Sequence, residues 1–136
     1  MKPWLIHIAA AGLLALSACA DAVTSWTVTF QSDETQLVSD GIDKAEFFIA
    51  VIDNEGLPVE VGTSLPVICI DAEAQPYGDL GGLTEGIGNA RADNVGAANL
   101  NFHCIRDVPT QVVCLVEYAG EQALTALECT AREDAP

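Results

Sequence analysis

Apolar and polar residues alternate one for one through much of the chain beyond residue 25. Trp26, Val28 and Phe30 are separated by Thr27 and Thr29, and Ala45, Phe47, Ile49 and Val51 resume the same beat after a polar stretch at 33–43 that contains Gly41. A period of two sends successive side chains to opposite faces, so both segments are predicted as half-buried strands, with 33–43 a loop or a short edge segment. The second strand ends at Asp53-Asn54-Glu55-Gly56, a turn in which Gly56 takes a positive φ without penalty. Leu57-Pro58-Val59 reads as a bent connection and 65–70 as a third strand, apolar on both faces at Val67-Ile68-Cys69-Ile70. Pro66 has no N–H for a ladder and is expected at that strand's start. Three further strands follow at 99–105, 111–118 and 123–131. Between them, residues 71–96 carry Gly78, Gly81, Gly82, Gly86 and Gly88 among Asp, Glu and Asn, and are predicted to form a long mobile loop of the kind that often holds function. Short strands without intervening helices predict an all-β sandwich, with a small barrel as the alternative.

The amino-terminal segment has a different logic. Lys2 is followed by a nearly unbroken apolar run from Trp4 to Leu16 and then by small residues. This is the layout of an export signal, helical while it is present. The run of about 13 residues falls short of the roughly 20 that cross a bilayer as a helix. His7 belongs to this leader. Leu16-Ser17-Ala18-Cys19 resembles the bacterial lipobox, which implies that the Cys19 thiol is lipidated and that the chain is cut just before it; an ordinary leader cut near Ala18 or Ala20, leaving a free thiol, is the other reading. Two or more acyl chains make a stable anchor. In lipoproteins of this kind an aspartate directly after the cysteine favours retention at the inner membrane. Here Ala20 precedes Asp21, which points to the outer membrane.

Removing residues 1–18 leaves enough chain for one domain and too little for two. The expected division is a signal peptide at 1–18, a lipidated start and tether at 19–24, one sandwich at 25–131 and a tail at 132–136. The formal net charge is −15, and all 20 acidic residues lie beyond the leader against Lys44, Arg91, Arg106 and Arg132. Nucleic acid and anionic lipid surfaces are poor partners for such a field. The acids are spread along the chain, as suits a solvated surface.

Besides Cys19 the chain has Cys69, Cys104, Cys114 and Cys129, an even number that fits two disulfides in an oxidising compartment. No pair has the close spacing of a structural zinc site, and none forms a Cys-x-x-Cys redox pair. A hairpin closed by Gly120-Glu121-Gln122-Ala123 would set Cys114 opposite Cys129, leaving Cys104 to reach across the sandwich to Cys69. In that register Val112, Cys114, Val116, Leu127 and Cys129 face inward. Val113 and Leu115 fall on the other face without explanation.

Signs of catalysis are sparse. The only histidine past the leader, His103, lies on the face opposite Leu100, Phe102 and Cys104 and so points to the wetter side, which does not suit a buried triad. Asp71, Glu73, Asp79, Glu85 and Asp93 could bind a hard cation if the loop brought them together, but no EF-hand spacing is present. The glycines from 78 to 88 lack the lysine and following helix of a phosphate cradle. No cofactor is implied.

Asp40-Gly41-Ile42-Asp43-Lys44-Ala45 and Val51-Ile52-Asp53-Asn54-Glu55-Gly56-Leu57-Pro58-Val59 resemble the bacterial immunoglobulin-like domains of invasin and intimin type, which open on a similar Asp-Gly-x-Asp-x-Ala and turn through Asp-x-x-Gly-x-Pro-Val. Gly96-Ala97-Ala98-Asn99-Leu100 is similar to a later strand start in those domains. The resemblance spans roughly residues 25–131 and implies an immunoglobulin-like sandwich of about six or seven strands. In function it implies a rigid extracytoplasmic module for spacing, adhesion or assembly; joined to the lipobox reading, the expectation is a non-catalytic module held to the membrane through Cys19 and meeting an unidentified envelope or surface protein. It carries over no catalytic residues. A small periplasmic enzyme or cation-binding protein with its site in 71–96 is the alternative.

Overall fold

A computed structural model describes residues 24–134, so Cys19, the lipobox and the leader lie outside the described residues. Nine strands follow in order: β1 (Trp26–Ser32), β2 (Gln36–Val38), β3 (Ala45–Asp53), β4 (Ser64–Ile70), β5 (Asp79–Leu80), β6 (Ile87–Arg91), β7 (Ala97–His103), β8 (Thr110–Tyr118) and β9 (Glu121–Thr130). They form two sheets, β1-β3-β7-β5 and β2-β9-β8-β4-β6. The main strands have the neighbour relations of an immunoglobulin-like sandwich, with β2 pairing parallel to β9 at the edge of the second sheet.

Alternation decides which residues fill the space between the sheets. Ala45, Phe47, Ile49 and Val51 of β3, Leu65, Val67 and Cys69 of β4, and Val112, Cys114 and Val116 of β8 are all buried. An aromatic line runs through this core: Phe30 meets Phe47 edge-on at 5.0 Å, Phe47 stacks on Phe102 at 5.6 Å, and Phe102 lies 6.3 Å from Tyr77.

Residues 71–96 are ordered, contrary to the mobile loop read from their composition. From β4 the chain crosses to the first sheet, where β5 pairs with β7, and returns to the second, where β6 pairs with β4. It laces the open side of the sandwich, and its Tyr77 and Leu80 are fully buried. The glycines permit close approach and tight turning. A Cβ on Gly88 would sit 2.6 Å from Leu80 Cβ and 2.9 Å from Leu100 Cδ2, and one on Gly86, whose φ is +74°, would sit 2.5 Å from the Tyr77 backbone nitrogen. Composition reports that many glycines are present; only packing shows that they are there for contact.

Pro66 is the second departure. It sits within β4, opposite Asn89 of β6, and the pairing of β4 with β8 begins one residue later at Val67. The strand thus holds a proline where the second ladder has not yet started.

The cysteine pairing is also corrected. Cys69 is bonded to Cys114 and Cys104 to Cys129. The hairpin between β8 and β9 is tighter than expected: Tyr118 pairs with Glu121, leaving Ala119 and Gly120, both at positive φ, as a two-residue turn. Cys114 then faces Thr125, not Cys129. On its other side β8 pairs with β4, which puts Cys69 directly opposite Cys114. Cys104, just past β7, does reach across the sandwich, but to Cys129 of β9.

Candidate functional site

The acidic residues singled out in 71–96 do not converge. Among the described residues no group of three or more His, Cys, Asp or Glu side chains is placed to hold a metal ion. Three aspartates instead build the same local turn. Asp53 Oδ1 accepts from the backbone N–H groups of Glu55 and Leu57, both at 2.8 Å. Asp71 Oδ1 accepts from Glu73 and Gln75 at 2.9 and 3.0 Å, and Asp93 Oδ1 from Val95 and Ala97, both at 2.9 Å. In each turn the residue three places on has a positive φ: Gly56 at 81°, Ala74 at 62° and Gly96 at 76°. Asp79 likewise accepts from the Gly82 N–H at 2.8 Å. These donors favour the charged carboxylate, so the Asp71 and Asp93 carboxyls titrate below the usual range, led by the hydrogen bonds from Gln75 and Ala97 respectively. In each turn Oδ1 is engaged by the chain itself, and among the described residues the carboxylates are not grouped to share a cation. Millimolar calcium is accordingly expected to leave the melting temperature of the protein within about a degree; a site saturated at 100 times its dissociation constant would add about 2.7 kcal/mol and raise it by several degrees in a thermal melt.

One of these turns joins a larger polar cluster. The Asp71 side chain, only 5% exposed, accepts from Arg106 Nη2 at 3.0 Å. The Arg106 guanidinium lies over the Tyr77 ring, 4.9 Å from its centre. The Tyr77 hydroxyl accepts from the backbone N–H groups of Ile105 and Arg106 at 3.2 and 3.4 Å. Asp71 and Arg106 of this cluster line a hollow of about 390 Å³ at the end of the sandwich, bounded also by Glu73, Val108, Thr110 and Gln111. Asp71 balances the charge of Arg106, and neither a histidine nor a thiol lines the hollow. It can accept a small polar ligand but has no nucleophile and base side by side. The sequence reading missed Arg106 and Tyr77; an isolated arginine after a strand and a tyrosine inside a glycine-rich segment carry no pattern of their own.

His103 is half-buried on the outer side of β7, opposite Asp79 of β5. The four cysteines of the described part are all committed to disulfides.

The outer face of the second sheet is less expected. Ile87 of β6 is directly opposite Ile68 of β4, Ile68 is opposite Leu115 of β8, and Leu115 is opposite Leu124 of β9. A second row joins Ile70, Val113 and Ala126. Val113 and Leu115, unexplained by the amphipathic pattern, therefore belong to one apolar stripe that crosses four strands.

No protein-family model matches the sequence, and none of the curated proteins matches it. Solved structures do resemble the fold. The D00-D0 domain of intimin superposes with a TM-score of 0.52 at 20% identity, covering 79% of this chain and 48% of that one. A carboxy-terminal 282-residue fragment of intimin, solved in complex with the intimin-binding domain of the translocated intimin receptor, gives 0.51 at 19% identity over 77% of this chain and 33% of that one. This chain thus spans a third to a half of the intimin fragments it resembles, and the likeness is one of fold.

Proposed function

We propose that the protein is a lipid-anchored, non-catalytic binding or structural module of the bacterial cell envelope. The observation that carries this reading is the pair of buried disulfides stapling a sandwich whose Asp53, Asp71 and Asp93 serve its own turns. Such staples persist in an oxidising compartment, and a rigid scaffold suits presentation of a surface. The intimin fragment of similar fold was solved bound to a receptor domain, which supports a protein partner for this chain as well.

In this reading residues 1–18 are removed, Cys19 carries the lipid, residues 19–24 form the tether, residues 25–131 the domain and residues 132–136 a tail, with the outer membrane as the site of anchoring. The tether would reach β1 at Trp26, the end of the sandwich that also holds the 53–58 turn and the 118–121 hairpin. Seven residues span at most about 25 Å, so this end stands near the bilayer. The hollow beside Arg106 is then at the far end, and both sheet faces are open sideways.

The test is Cys19→Ser. Loss of radiolabelled fatty-acid incorporation and release of the protein to the soluble fraction are expected. Membrane partition identical to the parent would remove the anchor from the proposal.

A further inference from the structure

We infer that the outer face of the five-stranded sheet docks a protein partner whose contact patch is apolar at its centre and rimmed by lysine or arginine. The inference rests on the binding-module reading but not on the lipid anchor.

The face has the anatomy of an interface. Its centre is the row Ile87, Ile68, Leu115 and Leu124 with Val113 beside it; Ile87 is 49% exposed, Ile68 43%, Leu124 63% and Val113 41%. Cross-strand pairing makes these residues immediate neighbours, so the patch is continuous, unlike the single apolar side chains at the loop tips. A shallow pocket of about 180 Å³ between Pro66, Ile68, Leu115 and Glu117 gives the stripe a socket for a partner side chain. Polar residues flank it along the strands, with Asn89, Glu117 and Gln122 on one side and Gln36, Gln111 and Glu128 on the other, where both glutamines donate to the Glu128 carboxylate. An apolar centre within a polar rim is the usual organisation of a protein contact. Two central strands, β4 and β8, carry much of the row. A sheet that needed only solubility there would place threonine, lysine or glutamate at these positions.

Charge selects the occupant. The carboxylates of Glu117 and Glu128 border the stripe, while Arg106 and Arg132 are paired with Asp71 and Asp107 and Arg91, outward-facing at the end of β6, donates to the Gly62 carbonyl. With a formal net charge of −15 over the full sequence, a second copy stacked face to face would bring two repelling fields together. A basic rim turns the same field into attraction and speeds encounter.

The experiment is an amide-resolved NMR titration of the exported chain carrying Cys19→Ser. The probe is a short peptide of alternating leucine and lysine, with leucine–glutamate and serine–lysine peptides as controls. Saturable shifts confined to outward-facing positions of β4, β6, β8 and β9 are expected with the leucine–lysine peptide alone, weakening as salt is added. The double change Ile68→Ser and Leu124→Ser should lower affinity roughly tenfold or more with the melting temperature kept, and Phe48→Ser on the other sheet should leave affinity unchanged. Shifts clustering around Phe48 or the Arg106 hollow would overturn this face while leaving the binding-module reading intact. Equal binding of the leucine–glutamate peptide, shifts running along the free edge of β1, or no saturable shift would overturn the inference outright. So would sedimentation of the chain alone as a dimer that Leu124→Ser abolishes, because the occupant would then be a second copy.

Discussion

Removing the Cys69–Cys114 bridge by the double change to alanine is expected to lower the free energy of unfolding by about 4 kcal/mol, and removing Cys104–Cys129 by about 3.5 kcal/mol. The figures follow from the loops closed in the unfolded chain, since the bonded cysteines are 45 and 25 residues apart in sequence. Small domains hold about 5 to 15 kcal/mol in all, so either loss takes a large share. Urea unfolding of the oxidised parent and the two double variants measures both. The bridges also act on different contacts. Cys69–Cys114 ties adjacent strands of one sheet, whereas Cys104–Cys129 ties the end of β7 to β9 in the facing sheet. Non-reducing peptide mapping should recover these two pairs; a Cys69–Cys104 or Cys114–Cys129 peptide would contradict the register of β8 on β4 and on β9.

Tyr77→Ala is expected to cost about 3 to 5 kcal/mol, the range for truncating a buried aromatic side chain. The ring is fully buried, ends the aromatic line through Phe102, and lies beneath the Arg106 guanidinium. Its loss would open a cavity and uncouple 71–96 from the core together. Tyr77→Phe separates the two contributions: it keeps the ring and removes only the acceptor for the Ile105 and Arg106 N–H groups, at about 1 kcal/mol. Equilibrium unfolding of both variants is the measurement. If Tyr77→Ala were nearly neutral, residues 71–96 would be the loose loop that their composition suggests.

The Asp53 turn was legible because glycine and proline mark it. Its two counterparts were harder to see. At Asp71 the positive-φ position is Ala74, and at Asp93 no proline follows, so the shared feature is only the aspartate and the offsets of the N–H groups it accepts. Asp-x-x-x-x-Pro recurs at 53–58 and 71–76, and that repeat was the signal available for the second. The polar cluster beyond it joins residues separated by about 30 positions, Asp71 and Tyr77 with Arg106, and no local pattern links them.

What the sequence determined by itself is what a period of two can carry: which residues of β1, β3, β7, β8 and β9 face the core. That assignment survived even a wrong register. Shifting β9 along β8 so that Cys114 meets Thr125 in place of Cys129 moves the partner by four residues, an even number, and every side chain keeps its face. Strand order, by contrast, was decided only in three dimensions. It set β4 beside β8 and so paired Cys69 with Cys114, and it folded a glycine-rich segment across the open side. It also aligned Ile87, Ile68, Leu115 and Leu124, residues from four separate strands, into one exposed row. Alternation is a property of neighbours along the chain, while adjacency between strands is chosen by the packing of the whole core, which no short window of sequence contains.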